Sequence, residues 1–160
     1  MKKIKKNKSK GILFWITGLS GAGKTSLAKG VVAALQTKKR KVIFLDGDEL
    51  RGAIAGEVGH SKSEKRELAF KYGSICQFLA SQGTDVVCAT MSLYHDCQKW
   101  NRQNIPGYIE VYLKVNIQTL IERDPKGLYA REKRGEITTL VGASGIYHEP
   151  QNPDIILDTE

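Results

Sequence analysis

Apolar residues fall along the chain in short continuous runs, and stretches of helical periodicity separate them. Ile12-Leu13-Phe14-Trp15-Ile16, Val42-Ile43-Phe44-Leu45, Asp85-Val86-Val87-Cys88-Ala89, Tyr108-Ile109-Glu110-Val111-Tyr112-Leu113 and Ile155-Ile156-Leu157 are the runs in question. Segments of this length with few charges predict strands, and the first reads as a strand buried on both faces of a parallel sheet. Helices are predicted over about 25–36, 63–81, 94–102 and 117–122. In the second of these, Leu68, Tyr72, Ile75 and Leu79 recur at helical spacing, Ser61 or Ser63 can cap the start, and Gly83 stops it. Alternating strands and helices predict an α/β fold, a parallel sheet of about five strands with helices on both faces. Ligands in such sheets bind beyond the carboxyl ends of the strands. The charged, glycine-bearing stretch 124–148 has little to bury and is expected to be a mobile lid.

The turn after the first strand carries the most specific chemistry. Gly18-Leu19-Ser20-Gly21-Ala22-Gly23-Lys24-Thr25 matches G-x-x-x-x-G-K-[ST], with an apolar strand before it and a helix after it. Glycines let backbone N–H groups turn inward around phosphates, and the helix N-terminus adds a favourable dipole. Lys24 can reach the β- and γ-phosphates, the Thr25 hydroxyl can bind magnesium, and Ser26 continues the binding segment. ATP and Mg²⁺ are therefore the expected cofactors of a P-loop NTPase-type fold. No third glycine stands where a dinucleotide-binding G-x-G-x-x-G would need it.

The second strand closes on Asp46-Gly47-Asp48. Two carboxylates one residue apart at a strand end can divide two tasks. One can hold magnesium through water, and one can accept the proton of an acceptor hydroxyl. Arg51, one turn later, can grip an anionic acceptor with its planar fork.

Charge and cysteine content narrow the setting. Lys and Arg total 25 against 17 Asp and Glu, a formal net charge of +8. Lys2, Lys3, Lys5, Lys6, Lys8 and Lys10 supply much of it, so residues 1–10 read as a basic disordered arm ahead of one kinase domain over 11–160. The rest of the excess suits polyanionic substrates. No basic stripe interleaves with aromatic residues, so nucleic acid is not an expected partner. No apolar run is long enough to span a membrane, and no apolar leader stands at the N-terminus, so a cytoplasmic protein is expected. Three cysteines, an odd number without a C-x-x-C pair, read as free thiols. A homodimer stays open. A GTPase switch is a remote alternative: Asp124-Pro125-Lys126-Gly127 fits D-x-x-G, but about 100 residues after the phosphate loop.

The phosphate loop together with Leu45-Asp46-Gly47-Asp48-Glu49-Leu50-Arg51 resembles the adenylylsulfate kinase (APS kinase) family. Glu122-Arg123-Asp124-Pro125-Lys126-Gly127-Leu128-Tyr129 is similar to that family's lid segment, and Arg134-Gly135-Glu136-Ile137 and Tyr147-His148-Glu149-Pro150-Gln151-Asn152-Pro153 also match its pattern. The resemblance implies a P-loop kinase of sulfate assimilation that transfers the γ-phosphate of ATP to the 3′-hydroxyl of adenylyl sulfate. It further implies that Asp48 is the base, that Arg51 and Lys126, with Gly127 and Leu128 beside it, meet the acceptor, and that Arg123 flanks ATP.

The middle of the chain departs from that pattern. His60 stands where the family has a stacking Phe, Glu64-Lys65 where it has Asp-Arg, and Leu68-Ala69-Phe70-Lys71 where it has Asn-Ile-Arg-Arg. Ala89-Thr90-Met91-Ser92-Leu93-Tyr94-His95 replaces Ser-Phe-Ile-Ser-Pro-Phe-Arg. Lys for Arg exchanges a bidentate fork for a point charge, and Leu for Asn deletes an amide. His60, Lys65, Leu68, Ser92, Leu93 and Tyr94 are therefore the expected determinants of acceptor choice. The alternative acceptor is another nucleotide such as cytidine diphosphoramidate, the substrate of a capsule-modifying relative that also resembles APS kinase.

Overall fold

The computed structural model describes residues 10–54, 61–137, 140 and 147–159. Five strands, β1 (Leu13–Thr17), β2 (Val42–Asp46), β3 (Asp85–Thr90), β4 (Tyr108–Lys114) and β5 (Ile155–Asp158), form one sheet in the order β2-β3-β1-β4-β5, every pairing parallel. The helices are α1 (Lys24–Thr37), α2 (Gly47–Ile54), α3 (Lys62–Ser81), α4 (His95–Asn104), α5 (Ile117–Arg123) and α6 (Leu128–Lys133). The predicted α/β architecture is present.

Period-two alternation along the central strands divides their side chains between two apolar layers. Leu13 and Trp15 of β1 and Val86 and Cys88 of β3 pack with Leu68, Tyr72 and Cys76 of α3 and Cys97 of α4. Ile16, Val87 and Ala89 face the opposite layer, with Ala28 of α1, Leu120 of α5 and Tyr129 of α6. Both faces of the sheet are thus covered. Ser61 is the cap of α3: its Oγ accepts from the Glu64 N–H at 3.3 Å, and Glu64 accepts from the Ser61 N–H at 3.0 Å.

A buried carboxylate ties the sheet together at its other end. Asp85 accepts from the Ile12 N–H at 2.9 Å and from Arg40 Nη2 at 2.7 Å, so one side chain links the entry of β1, the turn before β2 and the start of β3. Arg40 holds the Asp85 carboxyl below its ordinary range. The stabilisation this gives is present above the unfolded pKa and is lost as pH falls through the folded one. On the far side of β1, Arg102 bridges the buried Glu110 at 3.3 Å and Asp154 at 3.0 Å, and Asp154 accepts the Glu110 N–H at 2.8 Å, which fixes the approach to β5.

Two elements depart from expectation. Gly47–Ile54 is helical, where the sequence suggested only a strand end and turn. The stretch 124–148 is not featureless: α6 stands in it, and Tyr129 is buried against the core. Burial of a ring of this size stabilises by roughly 2 kcal/mol, so the premise that this stretch has little to bury fails at Tyr129. Within the stretch 124–148, residues 138, 139 and 141–146, with Gly142 and Gly145 among them, lie outside the described residues, as do the first nine residues of the basic arm.

Two glycine substitutions should act in opposite directions. A Cβ on Gly11 would stand 1.9 Å from the Thr84 carbonyl oxygen, a backbone atom that cannot step aside. Gly11→Ala should destabilise by roughly 2 kcal/mol or more. Gly30, inside α1, meets nothing within 4 Å, and Gly30→Ala should stabilise by about 0.5–1 kcal/mol. Thermal unfolding reads both, at about 2–4 °C per kcal/mol for a domain of this size. Equal melting temperatures for the two variants would contradict the packing described.

Candidate active site

The carboxyl ends of β1, β2 and β3 open onto a single cleft of about 900 Å³. Its floor is the phosphate loop. Gly21 and Gly23 adopt left-handed backbone angles, φ 82° and 91°, at the points where the chain turns into α1. Lys24 is largely enclosed, and its Nζ donates to the Leu19 carbonyl at 2.7 Å. Burial, seconded by the charge of Lys126 and opposed by Asp48 and Asp46, brings the Lys24 pKa down to about 8. The ammonium is folded back on its own loop, held by one neutral acceptor.

Asp46 ends β2 beside this loop. Its Oδ2 accepts from the Thr25 hydroxyl at 2.9 Å, and its Oδ1 accepts from the Asp48 N–H at 2.9 Å. Both oxygens are engaged, so Asp46 is oriented rather than free. Asp48, one residue into α2, carries an exposed carboxylate that Lys126 contacts with its ammonium. That hydrogen bond holds the Asp48 carboxyl below its ordinary range, against partial burial. The same strand end is braced from α3, where the Tyr72 hydroxyl donates to the Gly47 carbonyl at 2.8 Å. Gly47 packs tightly on β3: a Cβ there would lie 3.0 Å from the Ala89 carbonyl oxygen.

One half of the cleft lies between α2, α3 and the turn after β3. Arg51, Lys65, Leu68, Ser92 and Tyr94 line it as expected. Ser92 is held by Thr90, hydroxyl to hydroxyl at 2.8 Å. Burial, followed by the nearby Arg51 charge, lowers the Lys65 pKa. Opposite, Asp124 accepts from the N–H groups of Tyr129 at 3.2 Å and Ala130 at 2.9 Å, and the Tyr129 hydroxyl donates to the Ser20 carbonyl at 3.1 Å. These bonds dock α6 on the phosphate loop and bring Lys126 and Leu128 to the cleft wall.

Several expected site residues stand elsewhere. Leu93 is 6% exposed and packs in the core with Leu19 and Ala22, so it does not line the cleft. Leu19 and Ala22 have apolar side chains turned inward, and their part of the loop can meet a ligand only through backbone. Gly18 and Gly127 are also off the cleft wall. Arg123 donates to the Thr159 carbonyl at 2.9 Å, away from the cleft. His60 lies outside the described residues. Tyr72 and Met91, by contrast, line the cleft without having been singled out as site residues. Tyr72 carried a usable signal, standing four residues after Leu68 on the same helical face.

Thr25 and Asp46 also pass a test of fit for magnesium. A hydroxyl and a carboxylate oxygen lie side by side, both hard donors, and Mg²⁺ is commonly held by one or two such groups completed by substrate phosphates and water.

Comparisons with known proteins agree with this geometry. The family described as adenylylsulphate kinase matches residues 10–158. The chain is similar to an adenylyl-sulfate kinase of Bacillus licheniformis, 35% identical over 156 residues, which cover 96% of this chain and 79% of that protein. It is also similar to the cytidine diphosphoramidate kinase of Campylobacter jejuni, 33% identical over 146 residues, covering 91% and 85%. Among solved structures, an APS kinase from Mycobacterium tuberculosis in complex with AMPPNP and APS aligns with a TM-score of 0.87 at 33% identity, over 93% of this chain and 88% of that one. Similarity runs from ahead of the phosphate loop to the last strand of the sheet, through every element that builds the cleft, and on that ground the chain belongs to the adenylylsulphate kinase family of ATP-dependent nucleotide kinases.

Proposed function

We propose that this protein transfers the γ-phosphoryl group of ATP to the 3′-hydroxyl of adenylyl sulfate, giving 3′-phosphoadenylyl sulfate, as a cytoplasmic enzyme of sulfate assimilation. The observation that carries this reading is the cleft itself. The phosphate loop and Asp48 share it, so a donor phosphate and an acceptor hydroxyl can meet.

The roles follow from the bonds described. Backbone N–H groups of the loop cradle the phosphates, and Lys24 leaves the Leu19 carbonyl for the β- and γ-oxygens. Thr25 and Asp46 would hold Mg²⁺, which would supply neutralisation of phosphate charge. Asp46 is oriented for that by its bond to the Asp48 N–H. Asp48 accepts the acceptor's proton. Arg51 and Lys65 face the acceptor and attract its anionic end. Phosphoryl transfer asks the protein mainly for positioning and charge stabilisation, which this residue set can supply.

A second reading has its own support. Lys65 and Leu68 make the acceptor wall less rich in hydrogen-bonding groups than an Arg and an Asn would, and one similar protein is a cytidine diphosphoramidate kinase. ADP release measured across adenylyl sulfate, cytidine diphosphoramidate, other adenosine and cytidine nucleotides, and no acceptor distinguishes the two. A kcat/KM highest for adenylyl sulfate supports the first reading; one highest for a cytidine nucleotide replaces it with the second.

Three outcomes test the residue roles. Lys24→Ala should lower transfer by on the order of 10²–10³ with the fold intact, since it removes the ammonium that offsets charge on the β- and γ-phosphates. Near wild-type turnover would refute that assignment. Asp48→Asn should lower kcat by roughly 10² with a smaller change in ATP affinity, while Asp46→Asn should raise the magnesium concentration required. The reverse pattern would move the base to Asp46. Because burial brings the Lys24 pKa down to about 8, kcat/KM for ATP should fall as pH rises through that value. A flat profile from pH 7 to 10 would show that the ammonium is not needed for capture.

A further inference from the structure

Gly47 lies between the two cleft carboxylates, and the peptide joining it to Asp48 is held at both ends. The Gly47 carbonyl accepts from the Tyr72 hydroxyl at 2.8 Å, and the Asp48 N–H donates to Asp46 Oδ1 at 2.9 Å. A peptide unit is planar, so these two bonds fix one rigid plate. Packing blocks its retreat towards β3. A Cβ on Gly47 would stand 3.0 Å from the Ala89 carbonyl oxygen and 3.2 Å from the Thr90 hydroxyl oxygen. Tyr72 brings its hydroxyl from a firm base, since its ring is 3% exposed and packs with Leu68, Ala69 and Cys76 beneath α3. The Asp48 carboxylate has no comparable support. It is 70% exposed, its ion-pair partner Lys126 is 55% exposed, and an exposed pair of this kind orients weakly. The aim of that carboxylate is therefore set by the backbone that carries it.

We propose that Tyr72 is a positioning residue for phosphoryl transfer: through the Gly47–Asp48 peptide, its hydroxyl holds the Asp48 carboxylate in its working place beside the phosphate loop. The proposal rests on the kinase reading above and deepens it, since it gives α3 a part in the chemistry as well as in the cleft wall. Without the hydroxyl the ring still fills the core, but the carbonyl end of the plate loses its anchor. Tilting of the plate swings the Asp48 Cα, and a displaced base meets the acceptor hydroxyl at a poorer distance and angle. ATP is gripped by the phosphate loop, whose own bonds run to Leu19, Asp46 and Tyr129 and not to Tyr72. The loss therefore falls on kcat rather than on ATP binding.

Tyr72→Phe removes the hydroxyl and keeps the ring. With the best of the nucleotide acceptors compared above, it should lower kcat about 10-fold and leave KM for ATP within about 2-fold. Added to Asp48→Asn, the same substitution should cost less than about 2-fold, because the group it aims is gone. Amide hydrogen exchange supplies a readout independent of turnover. The Asp48 N–H should exchange about 5-fold faster in Tyr72→Phe, with protection along α3 unchanged. A ring that served packing alone would cost the same factor in both backgrounds, or would loosen α3 as a whole, and either result would overturn the proposal. An unaltered kcat would do the same, as would an unaltered Asp48 exchange rate. Wild-type transfer to none of the nucleotide acceptors would instead overturn the kinase reading, and the exchange comparison would still decide whether Tyr72 holds this peptide.

Discussion

A single hydrogen bond, from the Thr25 hydroxyl to the Asp46 carboxylate, joins the first turn of the phosphate-loop helix to the end of a strand that is not its neighbour in the sheet. It can form because β2, β3 and β1 run parallel and in register, Asp46 beside Ala89 and Ala89 beside Ile16. Parallel strands bring all their carboxyl ends to one edge, where the backbone has run out of ladder partners and chain turns are forced. The same edge places Asp48 on a new helix facing the loop, and Tyr72 reaches over from α3 to secure the turn between them. The site is therefore a product of topology first and of side chains second. Its residues converge because the sheet leaves them one place to converge.

Much of this was legible in the sequence. The strands announced themselves as apolar runs, and α3 by its spacing of Leu68, Tyr72, Ile75 and Leu79. The phosphate loop was legible because close backbone approach to phosphate leaves few choices other than glycine. What escaped had physical reasons. Gly47–Ile54 begins with glycine and two acids and is only eight residues long, so its apolar positions Leu50, Ala53 and Ile54 are too few for periodicity to mark a helix. The helix α6 hides in a charged stretch because one ring, Tyr129, supplies much of its anchorage, and one residue makes no periodicity. Leu93 sits between two cleft residues in the chain but turns the other way. Met91, Ser92 and Tyr94 face the cleft and Leu93 the core, in a turn where the Leu93 N–H donates to the Met91 carbonyl at 2.8 Å, and a stretch quoted as a block conceals the difference.

Acceptor choice was the least legible property. Under the proposed reading it would depend on the size and polarity of side chains at a few cleft positions, and these carry no pattern of their own. Leu68 illustrates the difficulty. It is 4% exposed and belongs to the core, and yet it also forms part of the cleft wall. A residue serving both purposes can be exchanged for packing reasons and alter recognition as a by-product. The donor side has no such freedom, since backbone N–H groups, one ammonium and one hydroxyl meet phosphates that do not vary.

Cys76, Cys88 and Cys97, contributed by α3, β3 and α4, all lie buried in the apolar layer beneath α3 and α4. Burial raises the thiol pKa of Cys97 to about 12, and the neighbouring thiol of Cys76, together with burial, raises that of Cys88 well above its ordinary value. A thiol reacts as its thiolate, so Cys88 and Cys97 are doubly shielded, by exclusion of reagent and by retention of the proton, and Cys76 is shielded by burial. Alkylation can proceed only through molecules in which the layer between the sheet and these two helices has come apart. The unmodified chain thus carries an intrinsic reporter: the rate at which its sulfur atoms become labelled counts the openings of its interior, and any ligand that grips the cleft should slow that clock.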